Sequence, residues 1–287
     1  MPYIAITGAN GFIGNSLYQA LVAKGHCVSR WVRTPTLSVD RYFSMPEGID
    51  ASLFTGNQDQ SKTKPDLIIH AAYVTHHRSA KESWRANVEG SRRLFDLAEA
   101  NNIKVLFLSS LSAHREALSI YGRSKYKLES LLNPSKHLIV KPGLVIGPGG
   151  LFQRMTQLLQ RLKFSVIFWG GNQPLYGVAI QDLVTACLTL IENQAVGRYH
   201  VMEEHPQTVR FFYRYLMQAL QLKPRLVPLP GDVSLFFVKI LEKLKMSLPI
   251  TSENLLGLKQ ARHFISDCAA LGIKPLDMEA AIRLVIQ

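Results

Sequence analysis

Four unbroken apolar runs, YIAIT (3–7), DLIIHAA (66–72), KVLFLSS (104–110) and HLIVKPG (137–143), are separated by stretches of helical period. An apolar run that does not alternate is a strand covered on both faces. Such strands, alternating with helices, build a parallel sheet. CVSRWV (27–32) reads as a further strand. In the intervals, Ile13, Leu17 and Leu21 share one helical face, and Trp84, Val88, Phe95 and Ala98 share a stripe of a long helix over 80–101. A helix over 122–132 is closed by Asn133-Pro134. The fold class expected is α/β, a doubly wound parallel sheet.

After Pro148 the texture changes. Helical patterns fill 151–162, 181–193, 208–221, 233–245, 251–260 and 277–286, with short strands at 177–180 and 198–202. The expected division is a sheet domain over 1–150 and a smaller, mostly helical lobe over 151–287, with crossings back to the sheet near 176–202. Length and a hydrophobic share of 47% suffice for a large core.

The formal charge of +12 attracts polyanions: nucleic acid, acidic membranes or phosphate-bearing small molecules. The cations are spread along the chain and no nucleic-acid-binding signature accompanies them, so nucleic acid is not the expected partner. Cys27, Cys187 and Cys268 lie far apart with no zinc spacing or CxxC, and read as buried, reduced thiols. No metal site is expected. The N-terminus runs straight into a strand with no leader pattern, and no apolar stretch reaches the ~18 residues of a membrane span. The expectation is a cytoplasmic protein.

The first apolar run ends on three glycines, Gly8, Gly11 and Gly14, as a helix begins. An ordinary tight turn uses glycine too. At the head of a doubly wound sheet, however, strand, G-x-x-G-x-x-G and helix form a loop whose backbone approaches a dinucleotide's phosphates. Gly8 permits the sharp turn, Gly11 removes a Cβ from the path of a pyrophosphate, and Gly14 lets helix and strand pack closely. Uncapped N–H groups and the helix dipole favour the anion. The expected cofactor contacts here are Gly8, Asn10, Gly11, Phe12, Ile13 and Gly14. The second strand region, SRWVRTP (29–35), lacks the acid that selects NAD, and Arg33 stands at its end with Arg30 nearby. A guanidinium there suits the 2′-phosphate of NADP, with NAD the second choice; a solvated surface arginine is the alternative.

YGRSK (121–125) puts Tyr121 and Lys125 at i and i+4, on one helical face. A phenol with a pKa near ~10 moves protons poorly at neutral pH, and an adjacent ammonium lowers that pKa. Tyr121 could then exchange a proton with a substrate oxygen while Ser110, after the KVLFL strand, hydrogen-bonds the same oxygen. The pair also arises by chance on exposed helices.

Taken in order, TGANGFIG, IIHAA (68–72), Asn87 in RANVEGSRRLFDLA, FLSS, YGRSK and KPGLVIGPG (141–149) resemble the short-chain dehydrogenase/reductase superfamily. The likeness is to its extended or atypical branch of NAD(P)-dependent nucleotide-sugar epimerases and dehydratases, and it continues loosely through YGVAIQDLVTACLTLIEN (176–193). It implies a Rossmann-type domain and an oxidoreductase or epimerase acting on a carbonyl or secondary alcohol. By resemblance, Tyr121 is the acid/base, Lys125 holds the nicotinamide ribose and tunes Tyr121, and Ser110 polarises the substrate oxygen. Ala71 and Ala72 line the adenosine or ribose side, Asn87 orients the backbone, and Pro142 and Gly143 flank the nicotinamide. A nucleoside-diphosphate sugar is the implied substrate, and a homodimer through helices 80–101 and 122–132 the implied assembly.

Two features depart from that pattern. Only ten residues (111–120) separate Ser110 from Tyr121, and LSAHREALSI lacks the Tyr-Gly that usually follows the serines. The tail 226–276 resembles an atypical branch related to a respiratory complex I accessory subunit, several of whose members bind cofactor without known turnover. The second reading is therefore a cofactor-binding scaffold, assembly or redox-sensing protein. His76, His114 and Arg154 are the expected substrate contacts; adjacent His76 and His77 point opposite ways in a strand and do not suit a metal. Trp169 with Gly170 and Gly171 reads as a pocket-lining turn or as core.

Overall fold

The computed structural model describes residues 2–47, 53–54, 64–75, 79–243 and 252–286. A seven-stranded sheet is built from β1 (Tyr3–Thr7), β2 (Cys27–Val32), β3 (Asp40–Tyr42), β4 (Leu67–His70), β5 (Lys104–Leu108), β6 (Leu138–Pro142) and, later, β11 (Gly197–Val201). The spatial order is β11-β6-β5-β4-β1-β2-β3. Pairs from β3 through β6 are parallel, with Ile4 opposite Val28 and Leu67, and Phe107 opposite His70 and Ile139. Gly197 N–H donates to His137 O and Gly143 N–H to Val201 O, so β11 runs alongside β6 in the same sense.

Every residue of β4 and β6 is buried, as an unbroken apolar run covered on both faces requires. The strand order reverses between β1 and β4. Their carboxyl ends therefore open the crevice in which doubly wound sheets bind ligands.

Helix α1 (Phe12–Ala23) buries Gly14, Leu17 and Leu21. Over 80–100 the chain is helical throughout, but α2 (Ala80–Trp84) passes through a π-helical turn, Arg85–Glu89, before α3 (Gly90–Ala100). The wider turn shifts the helical phase. Val88, Phe95 and Ala98 stay in the core while Trp84 is 37% exposed, which corrects the expected four-residue stripe. Helix α4 (Ile120–Glu129) begins two residues earlier and ends three earlier than its pattern suggested.

Beyond β6 come β7 (Leu144–Ile146), α5 (Gly150–Leu162), β8 (Ser165–Phe168), β9 (Pro174–Leu175), β10 (Gly177–Ala179) and α6 (Ile180–Glu192). After β11 follow β12 (Gln207–Thr208), α7 (Val209–Ala219), β13 (Leu226–Leu229), α8 (Gly231–Lys243), α9 (Ser252–Lys259) and α10 (Met278–Ile286).

The chain divides into two compact units: Met1–Ala113, Ser124–Lys141 and Val184–Tyr199 form one, and His114–Arg123, Pro142–Leu183 and His200–Gln287 the other. The first has a core of Trp31, Ile68, Leu94, Phe95, Phe107 and their neighbours. Phe152, Phe212, Leu216 and Ile282 centre the second, with Tyr213 and Tyr215 packed against them. Cys187 and Cys268 are buried, whereas Cys27 is exposed at the start of β2, contrary to expectation.

Candidate active site

Gly8 sits at φ +70°, and a Cβ there would lie 2.8 Å from the Ala72 backbone. A Cβ on Gly14 would come 2.3 Å from Gly8 O, so helix α1 packs directly on the turn. Gly11 is the helix N-cap, its own N–H donating to Gly8 O at 2.8 Å. Its requirement is thus partly internal, since a Cβ would meet Gly8 O at 3.1 Å. No side chain caps α1, which leaves the first-turn N–H groups of Phe12, Ile13 and Gly14 available to an anion. Asn10 and Gly11 are exposed at the apex. This cradle, at the sheet's switch point, fits the pyrophosphate of a dinucleotide.

At the β2 edge, Arg33 is exposed and makes no ion pair among the described residues. Arg30 is committed: it donates to Asn10 Oδ1, lies 3.5 Å from Asp40 Oδ1 and stacks 5.2 Å from the Tyr18 ring centre. Asp40 is buried, which alone would raise its pKa. The backbone N–H groups of Thr36 and Leu37, together with Arg30, outweigh that and hold the carboxyl below its usual range. No motif marks Asp40, because β3 is three residues long and lacks an apolar run.

The other wall follows β4. Ala71 N–H donates to Thr7 O, and Ala72 N–H to Thr7 Oγ1 at 3.3 Å. Thr7 Oγ1 also meets His70 Nδ1 at 2.7 Å, and His70 Nε2 meets Ser91 Oγ at 2.8 Å. Burial, then the charge of Lys125, pushes the His70 pKa down to about 3, so the ring is a neutral relay. Asn87, in the π-helical turn, accepts from Val74 N–H at 2.8 Å and donates to Val74 O at 3.0 Å. It holds Val74 through the peptides on both sides of that residue. His76 lies outside the described residues.

Ser110 follows β5, half-buried, its Oγ accepting from Ser112 N–H at 3.2 Å. Lys125 is buried. Its Nζ donates to Leu108 O at 2.6 Å and lies 4.6 Å from the Phe107 ring centre and 5.1 Å from that of Tyr73. Burial lowers its pKa to about 7 against the pull of Glu129. Tyr73, whose hydroxyl lies 3.1 Å from Ser124 Oγ, was not singled out in the sequence; its place three residues beyond His70 was the available signal.

Glu129, a turn beyond Lys125 on α4, is buried and pairs with Lys141 at 3.0 Å. It also accepts from Ser109 Oγ, while Lys141 donates to Ala113 O at 2.7 Å. Helix α4, the end of β5 and β6 are thereby locked by one buried polar cluster.

Tyr121, in the first turn of α4, is 37% exposed. The helix start is held by Ser119, whose Oγ accepts from Gly122 N–H, and by Glu253, whose carboxylate accepts from Ile120 N–H and Tyr121 N–H. Gln260 spans Leu118 N–H and Glu116 O, and Arg262 pairs with Glu116. No motif marked Glu253, because its partner is 133 residues away. His114 is half-buried in the preceding loop, and Arg154 is exposed on α5. Pro142 ends β6; a Cβ on Gly143 would lie 2.5 Å from Tyr176 O, so that glycine serves a backbone crossing in its own unit.

A doubly wound parallel sheet with a glycine turn after its first strand is the fold of dinucleotide-binding α/β proteins. The chain belongs to the NAD dependent epimerase/dehydratase family, whose profile matches residues 4–202. It is 30% identical over 164 residues to the ceramide reductase of Caulobacter vibrioides, a stretch covering 52% of this chain and half of that protein. Among solved structures, the human epimerase family protein SDR39U1 with NADPH superposes with a TM-score of 0.76 at 18% identity, covering 99% of both chains. UDP-glucose 4-epimerase of Thermotoga maritima with UDP-glucose gives 0.73 at 18% identity, over 99% of this chain and 97% of that one. Both superpositions show the same fold.

Proposed function

We propose that this chain is an NADP(H)-dependent oxidoreductase or epimerase acting on a carbonyl or secondary alcohol, with a nucleoside-diphosphate sugar as the substrate class. The observation that carries the reading is α4, with Tyr121 in its first turn and, one turn on, Lys125, whose Nζ donates to Leu108 O at the end of β5. In this reading the first-turn N–H groups of α1 hold the pyrophosphate and Arg33 meets the 2′-phosphate. Ala71 and Ala72 border the adenosine side, with Asn87 fixing the loop beyond them. Lys125 holds the nicotinamide ribose. The nicotinamide, when bound, supplies or accepts a hydride.

Ser110 orients the substrate oxygen, and Tyr121 gives it a proton or takes one from it. A charged Lys125 lowers the phenol's pKa toward working pH, which acid–base transfer requires. His114 and Arg154 contact the substrate, the arginine on a diphosphate. The substrate class is supported by the nucleotide sugar bound to the Thermotoga enzyme.

Tyr121→Phe tests the mechanism, because it removes one oxygen and little volume. Turnover on a panel of nucleotide sugars and one long-chain keto lipid should fall by about 10²–10⁴-fold, with NADPH affinity by fluorescence titration unchanged. Full activity in the variant rejects the role of Tyr121. Absence of turnover by the unaltered chain across the panel, with NADPH bound, favours the scaffold reading.

A further inference from the structure

Helix α8 wears its apolar stripe outward. Val233, Phe236, Phe237 and Ile240 fall at i, i+3, i+4 and i+7, the spacing that ordinarily faces a core. Yet they are 53%, 62%, 57% and 38% exposed. Val227 and Leu229 of the preceding strand continue the surface, at 42% and 40%.

The stripe is firmly mounted. Strand β13 pairs along β8, and a Cβ on Gly231 would come 2.0 Å from the Trp169 ring, so α8 starts seated on that indole. Trp169 Nε1 donates to Asp232 at 3.4 Å, and Lys259 Nζ reaches the same carboxylate at 2.5 Å.

The rim decides the occupant. Lys223 and Arg225, just before β13, and Lys239, on α8 itself, are exposed. Among the described side chains of α8, the acid is Asp232, already paired to Lys259. Aromatic and aliphatic anchors within a cationic rim match the headgroup–acyl boundary of an anionic bilayer, where long basic side chains reach phosphates while their stems lie on the apolar surface. A second copy docked on this face would bring like charges together. No described helix is long and apolar enough to cross a membrane, so the contact is with the surface.

We propose that α8 and β13 dock this protein on an anionic membrane surface, with Phe236 and Phe237 inserted below the headgroups. The proposal needs neither cofactor nor turnover and stands apart from the catalytic reading.

Co-sedimentation of the full chain with phosphatidylcholine/phosphatidylglycerol vesicles tests it, beside vesicles of phosphatidylcholine alone. Partitioning should be about tenfold or more stronger on the anionic vesicles and weaken in high salt. The double substitution Phe236→Ser with Phe237→Ser should lower it by about tenfold or more, and Lys239→Glu by less. Both phenylalanines are exposed, so the circular dichroism and melting temperature should not change. Three results overturn the proposal: no sedimentation with anionic vesicles, equal binding by the double variant, or a dimer in light scattering that the double variant dissociates.

Discussion

Gly8 and Gly14 serve one turn for different reasons, and their substitutions should fail differently. Gly8 needs a positive φ as well as room beside Ala72; Gly14 needs room alone, its virtual Cβ overlapping Gly8 O at 2.3 Å. Gly14→Ala must push α1 off the turn, with an expected loss of about 1–3 kcal/mol in urea unfolding and of NADPH affinity together. A variant as stable as the parent that still binds NADPH would show that α1 can retreat freely. At the end of β2, Arg30 is engaged by Asp40 and Asn10, while Arg33 makes no ion pair among the described residues. Arg33→Asp should therefore move preference from NADP to NAD, read as the ratio of the two dissociation constants. An unchanged ratio removes Arg33 from the role.

At the scale of elements, α4 is held at both ends. Glu253 accepts from its first N–H groups and Glu129 pairs with Lys141 near its last turn. Glu253→Ala removes a carboxylate cap worth about 1 kcal/mol. If the transition state feels that loss, kcat falls about fivefold with NADPH affinity intact.

Glu203, adjoining β11, joins β10 to α10: its oxygens accept from Gly177 N–H at 2.6 Å and Met278 N–H at 3.1 Å. Burial, aided by Asp277, overrides those two bonds and raises its pKa to about 7 from 4.5. The folded chain holds this proton more tightly than the unfolded one, so the group's stabilisation is full below pH 4.5 and lost as the pH rises to about 7. His70, lowered from 6.5 to about 3, acts with the opposite slope, adding stability as the pH rises across that interval. Comparing Glu203→Gln with the parent cancels the histidine. The variant's melting temperature should decline less between pH 4.5 and 7, and parallel curves would show that Glu203 does not titrate there.

Across the whole molecule, what could be read from sequence was local. Apolar runs marked β1, β2, β4, β5 and β6, and the glycine spacing marked the turn after β1, because each records burial or conformation within a few residues. Ser110, Tyr121 and Lys125 were legible as a spacing, and the catalytic roles given to them are proposed. Groups that act by pairing across the fold were not: Tyr73, Glu129 and Glu253 have ordinary neighbours and acquire their roles only on folding, while Asp40, bonded to nearby Thr36 and Leu37, lies in a three-residue strand without an apolar run. The π-helical turn that aims Asn87 at Val74 also left no mark in the 3.6-residue period, and it turned Trp84 out of the stripe.

The same contrast yields a prediction about where cofactor is felt. The proposed nucleotide contacts at Gly8–Gly14, Arg33, Ala71, Ala72 and Lys125 fall in the first compact unit, whereas β13 and α8 belong to the second. Hydrogen exchange with saturating NADPH should slow the amides of residues 8–14 and 71–75 by about tenfold or more, since bound ligand suppresses opening in proportion to its occupancy. Residues 226–243 should exchange as before. Anionic vesicles should invert the pattern, protecting 226–243 and leaving 8–14 unchanged. Protection of 226–243 by NADPH alone would mean that the nucleotide reaches, directly or through coupling, the face assigned to the membrane.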